Sequence, residues 1–146
     1  MDPQTPYLDF LILADRAEAI NGKLYLMGGG WDTFNIGNDE PASFSVALAI
    51  MMPWHATNQD HMLTLSLQDA DANELLRVQA GLRTGRPPTM AEPAEQRVMI
   101  AFPVSVRFPT SGTYAVIGTI GDNSKRVSLH VNQVPQMPFF VPPATP

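Results

Sequence analysis

Cysteine is absent from all 146 residues. No disulfide framework, thiolate nucleophile or cysteine metal site can therefore be built. That absence suits a reducing compartment, and the expected location is the cytoplasm. Long hydrophobic runs are missing too. The apolar stretch from Phe10 to Ala14 is followed at once by Asp15, Arg16 and Glu18. It is too short and too charged for a signal peptide or a membrane span, so no membrane association is expected. A basic excess is also lacking: the formal net charge is −5. Residues 1–74 hold 11 acids and two bases (−9), and residues 75–146 hold three acids and seven bases (+4). The bases of the second half (Arg77, Arg83, Arg86, Arg97, Arg107, Lys125 and Arg126) are scattered. A nucleic-acid partner would call for a clustered basic face, and none is expected here.

Catalytic signatures are equally sparse. Nucleophilic catalysis needs a nucleophile, a base and an orienting group. There is no G-x-S-x-G elbow, and the serines lie in strands or turns. The acid pairs Asp39-Glu40 and Asp69/Asp71 fall in turn segments, where acids serve turn chemistry. No catalytic residue set, cofactor or metal follows from the sequence.

What the chain does carry is alternation with period two, which a helix of 3.6 residues per turn cannot keep on one side. Phe44, Val46, Leu48, Ile50 and Met52 form one apolar file. Leu63, Leu65 and Leu67 form another, and Leu76, Val78, Ala80 and Leu82 a third. Val98, Ile100, Phe102, Val104, Val106 and Phe108 make the longest. Tyr114, Val116, Gly118 and Ile120 follow, then Val127, Leu129 and Val131. Pro103 interrupts the backbone donors of the longest file, which should therefore be an edge strand or carry a bulge. Near the N-terminus both faces are apolar: Leu8, Phe10 and Ile12 alternate with Leu11 and Leu13. Asn21-Gly22 reads as a type I′ hairpin turn, since both central positions need positive φ. A further strand is expected near Trp31–Ile36.

Fourteen prolines argue against a helical protein. One loop is long, from Arg83 to Glu95, and loops of that length are commonly functional. The sequence divides into one domain over 1–132 and a proline-rich tail over 133–146. In the tail Met137, Phe139, Phe140 and Val141 form an apolar cluster expected to dock rather than float. Eight or nine short strands point to an all-β, two-sheet, immunoglobulin-like β-sandwich, with a small β-barrel as the alternative. The stretch from Phe108 to Val116 resembles a tyrosine corner, in which the Tyr114 hydroxyl would bond to backbone a few residues upstream.

Ile12-Leu13-Ala14-Asp15-Arg16-Ala17-Glu18, Asn21-Gly22-Lys23-Leu24-Tyr25 and Met27-Gly28-Gly29-Gly30-Trp31-Asp32 together resemble an uncharacterised family of small bacterial proteins, common in actinobacteria. Met52-Pro53-Trp54 and Glu95-Gln96-Arg97 extend the likeness over most of residues 8–132. The resemblance implies a bacterial origin and an immunoglobulin-like sandwich, and it transfers no site residue.

Candidate binding residues are Gly29, Trp31, Asp32, Trp54, Arg86, Phe139 and Phe140. Three glycines before Trp31-Asp32 could present N–H groups to an anion. A phosphate loop leads into a helix, however, and here a strand follows, so a bend that lets the chain change sheets is the favoured reading. His55, His61 and Asp60 are too few and too irregularly spaced for a metal site. His130 is expected to point outward without a partner. Met51, Met62 and Met99 lie opposite their strands' main files, as a second buried face or an adaptable surface. The function expected is a non-catalytic interaction module, self-associating or docking on another bacterial protein. The alternative is a small-molecule binder or enzyme built around the Gly28–Asp32 bend and Trp54.

Overall fold

A computed structural model describes residues 5–37 and 39–134. The strands are β1 (Tyr7–Ile20), β2 (Lys23–Gly29), β3 (Thr33–Gly37), β4 (Ala42–Pro53), β5 (His61–Gln68), β6 (Glu74–Leu82), β7 (Glu95–Val106), β8 (Gly112–Ile120) and β9 (Asn123–Val134). One sheet has the order β2-β1-β4-β7 and the other β3-β9-β8-β5-β6. The protein is thus an all-β, two-sheet sandwich. A single 3-10 turn, Trp54–Ala56, follows β4. Among the described residues no helix is long and apolar enough to cross a membrane.

The alternating files build the core. Phe44, Val46, Leu48, Ile50 and Met52 of β4 are buried, as are Leu63, Leu65 and Leu67 of β5. Ser45, Ala47 and Ala49, on the other face of β4, are buried as well. Their register neighbours there include Phe10 and Ile12 on β1 and Met99 and Pro103 on β7. Small side chains between larger cross-strand neighbours lose their own exposure.

Val98, Ile100, Phe102, Val104 and Val106 stand opposite Ile50, Leu48, Val46, Phe44 and Ala42. They share the inward face and pack on the core, but only Val104 is fully buried. The reason is position, since β7 is an edge strand, the place where Pro103 can be tolerated.

Two expectations change in detail. The strand expected near Trp31–Ile36 is Thr33–Gly37, paired in parallel with β9, so Trp31 and Asp32 precede it. His130 does point outward, but its Nδ1 lies 3.2 Å from Thr113 Oγ1 on the adjacent strand. Their residues are directly paired between β8 and β9, which brings the two side chains together. The tyrosine corner forms: buried Tyr114 donates its hydroxyl to the Thr110 carbonyl at 2.7 Å and packs edge-on against Phe108. Phe139, Phe140 and the rest of the apolar tail cluster lie outside the described residues.

Candidate functional site

Trp54 and Arg86 meet across a long sequence gap. The Arg86 guanidinium carbon lies 3.4 Å from the Trp54 ring centre. Its Nη2 donates to the Trp54 carbonyl at 3.0 Å and its Nε to Thr57 Oγ1 at 3.0 Å. Thr57 Oγ1 donates in turn to the same carbonyl. The β6–β7 loop is thereby stitched to the turn after β4, helped by the Asn58 N–H on the Thr84 carbonyl and the contact of His55 Nε2 with the Glu92 carboxylate at 2.8 Å. Both named faces of Arg86 are committed to the chain itself, a holding role for the loop.

The Gly28–Asp32 bend carries the chain from one sheet to the other, between β2 and β3. Gly28 (φ +62°) and Gly30 (φ +90°) take the left-handed backbone this needs. The Gly30 N–H donates to the Leu13 carbonyl and the Trp31 indole to the Gly28 carbonyl at 2.9 Å. Gly29 pairs with Ala14. The Asp32 carbonyl accepts from the His130 N–H, and its carboxylate from Thr33. Half-buried Trp31 packs on Phe34 and Phe44, with ring centres 5.3 and 5.7 Å away. Trp31 thus sits beside the start of β4, whereas Trp54 follows its end. Nine strand steps separate Phe44 from Pro53, roughly 30 Å. The bend and Trp54 do not converge on one pocket.

The imidazoles are also apart in their roles. His55 pairs with Glu92, His61 Nε2 lies 2.8 Å from the Ala56 carbonyl, and Asp60 pairs with Arg83. Among the described residues no three His, Asp or Glu side chains gather as metal ligands. The shifted titratable groups serve local structure. Partial desolvation and the Glu95 and Asp9 carboxylates push the Tyr7 hydroxyl above its ordinary pKa. Backbone donation from Asn73 holds Asp69 below the usual carboxylate range, and the hydrogen-bonded Arg77 does so for Glu74.

The least satisfied surface is one the sequence reading did not single out. β1 pairs with β4 only as far as Ala14, and its second half pairs with β2 alone. Asn21 (φ 52°) and Gly22 (φ 75°) close this hairpin as a type I′ turn. The result is an arm that leaves β4 behind. Six large hydrophobic side chains are exposed among the described residues, and four are on the arm: Ile20 (46%), Tyr25 (55%), Leu26 (41%) and Met27 (70%). Arg16, Ala17, Glu18, Tyr25, Leu26 and Met27 line an open groove along it. The signal was present in Leu24-Tyr25-Leu26-Met27, where four consecutive apolar residues put hydrophobic side chains on both faces of the strand.

Over residues 9–132 the sequence matches a family of unknown function, DUF6941. The chain belongs to this family. The DUF6941 match spans the arm, the bend, Trp54 and Arg86, and stops within β9 two residues before its end. A comparison with curated proteins finds no match. Among solved structures, the DUF6941 fold is similar to part of a β-glucuronidase from glycoside hydrolase family 2, with 14% identity and a TM-score of 0.46. The likeness covers 88% of this chain but only 11% of that one, and carries no argument about activity.

Proposed function

We propose that this domain is a non-catalytic interaction module of the bacterial cytoplasm and that it docks through the β1–β2 arm. The observation that carries the reading is the concentration of exposed apolar side chains on one projecting hairpin. Monomeric surfaces scatter such residues singly, whereas a contiguous group on an open strand marks an association site. Covering Tyr25, Leu26 and Met27 would contribute about 1 kcal/mol each, given that each is already partly covered. The small-molecule alternative has less support, because its two halves lie at opposite ends of β4 and Arg86 is bonded within the chain. The absence of cysteine supports the cytoplasmic assignment. We also read the sandwich as immunoglobulin-like, on the strength of the Tyr114 corner and the facing sheets.

The test is photo-crosslinking in living cells, with a photoreactive residue in place of Met27 or, as control, of Met62 on the other sheet. Met62 is also exposed (52%) but stands outside the arm. A discrete adduct from position 27 and none from 62 is expected. Equal labelling from both positions, or none from 27, contradicts the proposal.

A further inference from the structure

We propose that the occupant of the arm is a second copy of this chain, joined β2 to β2 about a twofold axis at Tyr25, so that the two four-stranded sheets become one of eight strands. This rests on the reading of the arm as the docking surface, and it follows from the backbone. In a two-residue hairpin the closing pair, here Ile20 and Lys23, exchanges hydrogen bonds, and every second pair after it does the same. Lys23, Tyr25 and Met27 therefore direct their N–H and C=O groups at β1. Leu24 and Leu26 direct theirs away from the sheet, along its edge. The next outward carbonyl, that of Gly28, is taken by the Trp31 indole, and Gly28 has left the extended conformation. The open part of the edge is thus centred on Tyr25.

A twofold axis normal to the sheet pairs β2 with itself antiparallel and keeps each face continuous. The register that uses the open groups sets Leu24 opposite Leu26 of the other copy, twice. Tyr25 then faces Tyr25 as a non-hydrogen-bonded pair, and Lys23 faces Met27. No like charges stand directly opposite. One face of the join becomes apolar, since Leu24 and Leu26 are flanked by Ala19 and Ala17 on β1. The arm's charges also favour a copy of itself over a strongly charged partner: Asp15 and Glu18 balance Arg16 and Lys23.

The other terminal strands of the two sheets are blunted against such pairing. β7 carries Pro103, β3 has five residues, and β6 carries the Glu74–Arg77 ion pair. On β2 Lys23 is the sole charged residue. A join of two short strands is at the small end of interfaces, so a dissociation constant of about micromolar order is expected.

Sedimentation equilibrium and disulfide trapping test the proposal together. Wild type should pass from monomer to dimer between low micromolar and millimolar concentration. Leu24→Pro should remain monomeric with unchanged circular dichroism, because proline at 24 removes an outward N–H and leaves the ladder to β1 intact. The chain has no cysteine, so Tyr25→Cys introduces a single thiol. Non-hydrogen-bonded pairs place Cα atoms about 4.5 Å apart, within the roughly 4.4–6.8 Å that a disulfide spans. Under oxidation Tyr25→Cys should give covalent dimer far faster than Met62→Cys. A wild type monomeric throughout, a Leu24→Pro variant that still dimerises, or equal trapping at positions 25 and 62 overturns it. An adduct from position 27 to a different protein, with a monomeric wild type, overturns the self-pairing alone and leaves the arm as docking surface. No adduct at all defeats both.

Discussion

Gly28 lies against the Asp15 carboxylate, and a Cβ there would come within 2.4 Å of Asp15 Oδ2. Its φ of +62° adds backbone strain for any other residue. Gly28→Ala should cost about 1–2 kcal/mol from the left-handed backbone, with the clash in addition. Gly30→Ala meets no atom near the new Cβ, so its cost should be the backbone strain at φ +90° alone. Urea unfolding of the two variants measures the difference. Tyr114→Phe removes the hydrogen bond to Thr110 and should lower stability by about 1 kcal/mol in the same assay. Tyr114 was legible in the sequence because its partner is four residues away. The stacking of Arg86 on Trp54 was not, since 32 positions separate them and no local pattern links a loop arginine to a distant turn. Both residues were candidates for binding a ligand, and the structure brings them together, with Arg86 stacked on the Trp54 ring. Arg86→Lys should cost about 1–2 kcal/mol, because an ammonium cannot stack and donate in two directions at once.

At the level of the element, the β5–β6 turn is held by one carboxylate. Asp69 accepts from the Asp71 N–H at 2.9 Å, the Asn73 N–H at 2.8 Å and the Asn73 amide at 3.1 Å. These donors lower its pKa. Its contribution is therefore fully present above the unfolded carboxylate value of about 3.9, and is lost as pH falls through the lower folded value. Melting temperatures recorded down the acid limb should fall less steeply for Asp69→Ala than for wild type below about pH 4. The strands themselves were readable from alternation, and the hairpin from Asn21-Gly22. What alternation could not reveal was where β1 parts from β4. That point lies at Ala14 opposite Ser45, although β4 runs on to Ala42 against β7; it is a fact of tertiary pairing, and beyond it Tyr25 and Met27 are exposed while Leu8 and Leu13 are buried.

For the whole molecule, the sandwich fills its core from both sheets and leaves exposed apolar side chains concentrated on one hairpin. The expected all-β architecture rested on files of large residues, which act over the entire chain and so survive errors in any single boundary. The docking surface rests on an edge, and an edge exists only once the strand order is known. Amide hydrogen exchange of Leu24 and Leu26, read by NMR across a concentration series, tests the self-pairing most directly. These two amides point away from β1, so in a dilute monomer they should exchange near the solvent-limited rate while Lys23 and Tyr25 are protected. Protection at Leu24 and Leu26 that rises with protein concentration is the expected result. Fast exchange at both amides from dilute to millimolar protein contradicts the account.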